Sequence, residues 1–257
     1  MWQIETTYAL VEAKRSTRTA TAKKCNEGAV IAPHEVKNMI ILKTLDIQGF
    51  HPAIHGMRNP KNSWDKSDSV WGCDGDSCPI DGFELGPNDK RLAVQLAGAG
   101  AFRGKFRRMI TVWVDITAPL YWWKEFDTYK VGTVANSCST MHKIHAKEFV
   151  LDDFSHEHLI GTSEVVLMQV IDMLNCQRNL FLKLKDKSYW WNMIQLLPTS
   201  YNQTRTVQLN YEVLANICQY RRGHKLDEWG DFIKWAERLP YAELFTVVPA
   251  KLEGGAT

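Results

Sequence analysis

The stretch MITVWVDITAPLYWWKEFDTYKVGTVANSCST, residues 109–140, decides the fold class. Its first part, Met109 to Thr117, is rich in β-branched residues in loose alternation, which predicts a β-strand. The strand is expected to stop at Ala118-Pro119, because proline cannot donate a hydrogen bond to a β-ladder. From Lys124 to Ser139 the pattern indicates helical or irregular structure. Residues 38–48 carry enough aliphatic and β-branched residues for another strand, so we expect a β-sheet.

The second half of the chain is predicted to be mainly helical. Apolar residues at helical spacing, together with capping residues and breakers, predict helices at 88–96, 162–184, 188–197, 207–222 and 227–239. No internal repeat and no low-complexity linker divides the sequence, so we predict a single α/β or α+β domain over residues 1–257.

Two further segments have no clear periodicity. Residues 1–30 are rich in Thr, Ala, Lys and Arg, which indicates a flexible arm or an irregular start. Residues 49–88 are dense in Gly, Pro, Asn, Asp and Ser, which predicts a long loop or a lid over a binding site.

Composition excludes several classes of function. Thirty-one Lys and Arg against 29 Asp and Glu give a formal net charge of +2, too small for bulk binding of nucleic acid or membranes. The apolar runs are far shorter than the roughly 20 residues of a membrane span, and no signal-peptide segment is evident. Six scattered cysteines do not make a disulfide framework. We therefore expect a soluble, cytoplasmic protein with reduced thiols and no direct nucleic-acid binding.

Hydroxyl groups, an amide and cations are concentrated in the segment that follows the 109–117 strand. Such groups can hydrogen-bond phosphate oxygens and a polar ring. A polar loop that satisfies its own turn hydrogen bonds is the alternative. The residues concerned are Lys124, Thr128, Lys130, Thr133, Asn136, Ser137 and Ser139.

A second polar group flanks the helix predicted at 207–222. Residues 200–205 precede it, and Arg221, Arg222 and His224 lie at its far end. A helix from Val207 to Arg221 spans about 21 Å, so one phosphate cannot contact both ends. Either a long ligand bridges them or they belong to separate sites, across a subunit interface for example. Alternatively, the two arginines only complement the dipole at the helix C-terminus.

Metal, dinucleotide and hydrolase motifs are not found. Cys73 and Cys78 show no second Cys or His pair at zinc spacing, so we expect no structural metal. The pairs His142 with His145 and His156 with His158 lack a third ligand and are interpreted as surface histidines. No Walker or dinucleotide glycine pattern and no serine-hydrolase elbow occurs. The basic run at 103–108 is typical of a solvated face.

The run Ala118-Pro119-Leu120-Tyr121 resembles the flavin-dependent thymidylate synthases. In that family a strand ends in Ala-Pro-aliphatic-aromatic, an Arg-Gln pair follows, and then comes the signature Arg-His-Arg-x-x-Ser-x-x-x-x-Ser-x-Arg. Here Lys124-Glu125 stand at the Arg-Gln place. The signature region begins Thr128-Tyr129-Lys130, with Thr133 at the first serine. The strict signature is therefore not kept, and only Lys130 and Thr133 are chemically similar to it.

The C-terminal part is similar to the same family in order and spacing. The family's series runs Leu-Pro, Tyr-Thr-Arg, Asn-Ala-Arg-Ser-Leu and Leu-Arg…His-Ala-Gln-x-Glu. Upstream, Ala101 stands where the family has a flavin-contacting histidine. The resemblance covers residues 88–240. Its C-terminal matches are Leu197-Pro198, Tyr201, Asn210, Leu214, Tyr220-Arg221, His224 and Glu228.

The resemblance implies a homotetramer that binds FAD, deoxyuridine monophosphate (dUMP) and methylenetetrahydrofolate at subunit interfaces, with NADPH as a candidate reductant. The implied reaction transfers a one-carbon group to the nucleotide; hydroxymethyl transfer, or nucleotide binding without catalysis, is the alternative. By position, Tyr129, Arg221 and His224 would contact the cofactor, and no catalytic residue is assigned. The implied nucleotide contacts are Lys130, Thr133, Asn136, Ser137, Ser139 and Arg205.

Overall fold

The computed structural model describes residues 39–72 and 82–246. The arm predicted at residues 1–30 lies outside the described residues. In chain order the described residues form β1 (Ile41–Gln48), α1 (Phe50–Arg58), β2 (Val70–Trp71), β3 (Phe83–Glu84), α2 (Pro87–Gly98), β4 (Thr111–Pro119), α3 (Leu120–Phe126), β5 (Thr133–Ser137), α4 (Thr162–Leu184), α5 (Lys187–Leu196), β6 (Asn202–Asn210), α6 (Tyr211–Arg221), α7 (Asp227–Ala236) and α8 (Glu243–Thr246).

A four-stranded antiparallel sheet in the order β1-β4-β6-β5 organises the fold. Successive side chains of a strand point to opposite faces, and on β4 the residues Val112, Val114 and Ile116 are fully buried. One face of the sheet therefore packs against the main core, whereas Trp113 and Asp115 on the other face are partly exposed. The predicted mixed α/β fold class is confirmed.

The helix predicted at 207–222 is wrong in its first part, where the chain forms β6. Val207 and Leu209 are buried at strand spacing, and β6 pairs along its whole length with β4. The helix begins only at Tyr211, where the side chain of Asn210 accepts hydrogen bonds from the backbone N–H groups of Glu212 (3.1 Å) and Val213 (3.0 Å). This N-cap satisfies donors that the first helical turn leaves free.

Two segments predicted as irregular contain regular structure. The loop predicted at 49–88 includes α1, which buries Phe50, Ala53 and Ile54 in the core, and the short hairpin of β2 and β3. Its residues 73–81 lie outside the described residues. The segment predicted as helical or irregular up to Ser139 contains the edge strand β5, which pairs with β6.

A smaller apolar cluster holds the hairpin of α4 and α5. Leu167, Ile171 and Leu174 of α4 pack with Met193 of α5. The remaining surface of α4 exposes several large apolar side chains: Val165, Val166, Met168, Met173, Leu182 and Leu184. Among the described residues, none of the helices combines the length and hydropathy that a bilayer span requires.

Candidate functional site

Five side chains from three segments meet to form a site that we call the Arg221 cluster. Glu125 comes from α3, and Tyr129 follows that helix. Arg221 is the last residue of α6, His224 follows it, and Trp229 belongs to the first turns of α7. The ends of three helices therefore position the cluster.

Hydrogen bonds join these groups around one carboxylate oxygen. Arg221 Nη1 donates to Glu125 Oε2 (2.9 Å), and Trp229 Nε1 donates to the same oxygen (3.0 Å). Arg221 Nε donates to the hydroxyl of Tyr129 (3.0 Å). The carboxylate thus neutralises the guanidinium, and the phenol fixes its orientation.

Both ring nitrogens of His224 have partners. Its Nδ1 accepts a hydrogen bond from the N–H of Leu226 (3.1 Å). Its Nε2 lies 3.1 Å from Arg221 Nη1 and 3.4 Å from Glu125 Oε2. His224 therefore packs directly against the ion pair of Arg221 and Glu125.

Aromatic rings give the cluster a rigid base. The guanidinium carbon of Arg221 lies 4.8 Å from the ring centre of Trp229 and 5.5 Å from that of Tyr129. Trp229 is fully buried and packs against Trp122, with ring centres 4.7 Å apart. Such cation–π contacts add to the ion pair, and the buried indole restricts the movement of Arg221.

The cluster is open to solvent on one side. The side chains of Arg221, His224 and Glu125 are 17%, 24% and 34% exposed. Among hydrogen bonds of the described residues, Arg221 Nη2 donates none and Glu125 Oε1 accepts none. One donor and one acceptor are therefore available to a ligand.

Arg205 forms a second, separate ion pair on β6. Its Nη1 donates to Asp127 Oδ1 (2.8 Å), and its guanidinium carbon lies 4.2 Å from the ring centre of Trp123. Nε donates to the side chain of Gln203 (3.0 Å). This predicted substitute cation is thus already paired with a carboxylate.

The hydroxyl-bearing segment after Tyr129 lies along the edge of the sheet. Thr133 donates a hydrogen bond to the Tyr129 carbonyl (2.7 Å), which ties β5 to the cluster. Ser137 lies opposite Arg205 in the β5–β6 register. The hydroxyl of Ser139 instead accepts hydrogen bonds from the N–H groups of Met141 and His142 (3.2 and 2.8 Å). Lys130 and Asn136 are exposed.

The structure brings Tyr129, Arg221 and His224 into contact, and through Tyr129 it joins them to Lys130 and Thr133. The stretch 207–221 is not one continuous helix, because its first four residues belong to β6 and α6 begins only at Tyr211. Arg205 and Arg221 both pair with acids of one segment, Asp127 and Glu125. Sequence reasoning missed Asp127 and Trp229, and it noted Glu125 only as a replacement.

A buried acid lies beside the cluster on α7. Glu228 is 2% exposed and accepts a hydrogen bond from the hydroxyl of Tyr121, which also lies 3.0 Å from the hydroxyl of Ser155. Burial, followed by the hydrogen bond to Glu228, raises the pKa of Tyr121. The phenol therefore stays protonated and links α3, α7 and the loop at Ser155.

The basic run at 103–108 is a solvated face except at one position. Arg103, Lys105 and Arg108 are exposed, whereas Arg107 is 6% exposed. Arg108 also pairs with Glu212 of α6. Within the described residues, no group of three or more His, Cys, Asp or Glu is arranged to hold a metal ion. His156 Nδ1 contacts the Phe154 carbonyl instead (2.7 Å).

Solved structures similar to this fold bind nucleotide and flavin. The flavin-dependent thymidylate synthase ThyX from Helicobacter pylori, in a structure complexed with FAD and dUMP, aligns with a TM-score of 0.60 at 18% identity over 80% of this chain and 99% of that one. A second structure of that enzyme with FAD and dUMP gives 0.58 at 17% identity over 81% and 97%.

The UMP/dUMP methylase PolB from Streptomyces cacaoi, bound with 5-Br dUMP, aligns with a TM-score of 0.52 at 14% identity over 81% of this chain and 95% of that one. No protein-family model and no curated protein matches the sequence. The chain thus has the fold of the flavin-dependent thymidylate synthases, as its resemblance predicts.

Proposed function

We propose that this protein is a divergent relative of the flavin-dependent thymidylate synthases. In this proposal it transfers a one-carbon group from methylenetetrahydrofolate to a pyrimidine deoxynucleotide, dUMP, in the cytoplasm, with FAD as cofactor and NADPH as reductant. The observation that carries the proposal is the Arg221 cluster. It joins the two stretches of family resemblance, residues 118–130 and 197–228, in one partly open site.

The donor set of the cluster suits an anionic ligand with a polar ring. Arg221 Nη2 is free to contact a phosphate or carbonyl oxygen, and hydrogen bonds to charged groups contribute about 1.5–3 kcal/mol. Glu125 compensates the charge of Arg221, so a phosphate needs a further cation. Lys130 is exposed next to Tyr129 and supplies that charge in the proposal, with Thr133, Asn136 and Ser137 as hydrogen-bonding groups.

The same residues fit part of a flavin. Tyr129 presents a half-buried ring, and the polar nitrogens of Arg221 and His224 lie beside it. FAD, when bound, would supply hydride and electron transfer for the one-carbon step. The protein's part is then to bind and orient ligands, with Trp229 beneath Arg221 limiting its movement.

Assembly into a homotetramer is part of the proposal. The exposed apolar side chains of α4, including Val165, Val166 and Met173 (48–55% exposed), make a surface whose burial between subunits would be favourable. Cations held apart in one chain could then face ligands shared between subunits.

Two alternatives have specific support. The replacement of the signature arginines by Thr128 and Lys130 changes a bidentate site, which favours a related reaction such as hydroxymethyl transfer. Ala101, at the place of the family's flavin-contacting histidine, favours a nucleotide-binding protein without the cofactor and without catalysis.

Absorbance and binding measurements test the proposal. The purified protein, before and after incubation with FAD, is expected to show flavin bands, and calorimetry is expected to show dUMP binding. Arg221→Ala should lower the affinity for FAD, for dUMP or for both about 10- to 100-fold, which is equivalent to the loss of a hydrogen bond to a charged group. Arg222→Ala is the matched control, because Arg222 is 60% exposed and pairs with Glu237 on the surface.

Product analysis separates the candidate functions. Formation of dTMP from dUMP with methylenetetrahydrofolate, FAD and NADPH supports the synthase, and a hydroxymethylated product supports the first alternative. A colourless protein that binds dUMP but cannot be loaded with FAD indicates the non-catalytic alternative. Equal ligand binding by the Arg221→Ala and Arg222→Ala variants would reduce Arg221 to a helix-end cation.

A further inference from the structure

A pair of histidines lies on α1, outside the Arg221 cluster. His51 and His55 are four residues apart, so their side chains project from the same face of the helix. Their ring centres are 6.3 Å apart. The opposite face of α1 is buried through Phe50, Ile54 and Met57, which fixes the helix that presents the two imidazoles.

Each imidazole packs against an exposed tryptophan. The ring centre of His51 lies 4.0 Å from that of Trp71 on β2, and His55 stacks at 6.0 Å on Trp64 with an interplanar angle of 17°. Trp64 and Trp71 are 43% and 57% exposed. Both imidazoles therefore lie beside aromatic rings at the surface of the molecule.

We propose that His51 and His55 bind a divalent transition-metal ion, with zinc as the probe and water completing the coordination. Imidazole is a preferred ligand of zinc, copper and nickel. Zn–N distances of about 2.0–2.1 Å and tetrahedral geometry place the centres of two coordinating rings roughly 5 Å apart. The observed separation of 6.3 Å is wider, so side-chain rotation must bring the two rings about 1 Å closer together.

The other histidine pairs of the described chain lack this geometry. His145 packs edge-to-face on Phe181 with ring centres 4.9 Å apart, and His158 lies 3.3 Å from Asp227. Neither pair lies on a helix. Both pairs were considered as metal ligands from sequence, whereas His51 and His55 were not.

Isothermal titration of the metal-stripped full-length protein with ZnCl₂ tests the inference, with the unfolding temperature as a second readout. We expect saturable binding near one zinc per chain and a rise in unfolding temperature, because a ligand of the native state stabilises it by mass action. The double variant His51→Ala/His55→Ala should bind zinc with an affinity at least tenfold lower. His142→Ala/His158→Ala, two exposed histidines elsewhere, is the matched control and should bind like the wild type.

A second variant separates metal binding from folding. His51→Asn/His55→Asn keeps side chains of similar shape, and its unfolding temperature without metal should match that of the wild type. Zinc binding unchanged in both His51/His55 variants would overturn the inference. So would binding that survives in them but disappears in Cys73→Ser/Cys78→Ser, because the metal would then reside on thiols.

Discussion

Two arginine–carboxylate pairs in this protein have opposite surroundings. The pair of Arg58 and Asp89, here the closed pair, is 5% and 0% exposed, whereas the pair of Arg221 and Glu125, the open pair, is 17% and 34% exposed. In the closed pair, Arg58 also donates to the carbonyls of Ser63 (3.2 Å) and Lys66 (3.0 Å).

The carboxylate of the closed pair is equally saturated. Asp89 Oδ2 accepts from the hydroxyls of Ser67 (2.6 Å) and Ser69 (2.7 Å) and from the backbone N–H of Ser69 (3.1 Å). The open pair leaves Arg221 Nη2 and Glu125 Oε1 unused. The comparison indicates that the closed pair holds residues 63–69 against α2, and that the open pair retains capacity for a ligand.

The largest expected effect breaks the closed pair. Asp89→Asn leaves the buried guanidinium of Arg58 without a counter-charge, and such a loss costs about 3–5 kcal/mol. Urea unfolding should show that decrease. Asp65→Asn, which changes an exposed acid of the same segment, should alter the unfolding free energy by less than about 0.5 kcal/mol. Equal effects of the two substitutions would show that burial of Asp89 is not decisive.

Lowering the pH should gradually remove the stabilisation that the ionised carboxylate of Asp89 gives to the native state. Burial by itself would raise the pKa of Asp89, but hydrogen bonds from Ser67, Ser69 and Arg58 outweigh it and hold the pKa below its ordinary value of 3.8. A lowered pKa stabilises the native state above the unfolded-state pKa, and this contribution is lost as the pH falls through the native pKa.

Unfolding curves at a series of pH values measure that loss. The difference in unfolding free energy between wild type and Asp89→Asn should be constant from pH 6 to about 5 and narrow below about pH 4. A difference that widens on acidification would contradict the assigned direction.

Local sequence patterns predicted those parts of the fold that a single period identifies. The strand predicted at 109–117 is β4 (Thr111–Pro119), and the helix predicted at 162–184 is α4. The β6 strand was missed because Val207 and Tyr211, four residues apart, fit a strand period of two as well as a helical spacing. Pairing with β4, which is distant in sequence, decides between the two.

Only the family resemblance pointed to members of the Arg221 cluster. It supplied the positions of Tyr129, Arg221 and His224, which do lie together; their contacts with a cofactor stay a prediction. The contacts of Glu125 with Arg221 and Trp229 join residues 96 and 104 positions apart, and no local pattern reports such a distance. The pairing of Arg205 with Asp127 was hidden for the same reason.

A smaller effect is expected from changing the charge of the open pair. Glu125→Gln keeps an acceptor for Arg221 and Trp229 but leaves the guanidinium charge uncompensated. A partly exposed ion pair contributes up to about 1 kcal/mol, so affinity for dUMP should rise up to about fivefold at low salt. Calorimetry measures this, with Glu164→Gln on the exposed side of α4 as control. Weaker dUMP binding would show that Glu125 itself contacts the nucleotide.

The smallest effects are expected at two serines that differ in the same way as the closed and open pairs, one with its hydroxyl already hydrogen-bonded and one without. Within the described residues, the hydroxyl of Ser137 makes no hydrogen bond, whereas that of Ser139 accepts two from backbone N–H groups. Ser137→Ala should therefore leave the unfolding free energy within about 0.5 kcal/mol of wild type. It should lower the affinity for dUMP about two- to tenfold, which corresponds to the roughly 0.5–1.5 kcal/mol of one hydrogen bond.

Ser139→Ala should do the reverse. It should lower the unfolding free energy by about 0.5–1.5 kcal/mol and leave dUMP affinity unchanged, because its hydroxyl is already committed to the turn. Urea unfolding and calorimetry on the two variants give the four values needed. The opposite result, in which Ser139→Ala weakens dUMP binding and Ser137→Ala does not, would show that unused hydrogen-bonding groups do not mark the groups that bind ligand. The unused Nη2 of Arg221 would then no longer support a ligand site at the open pair.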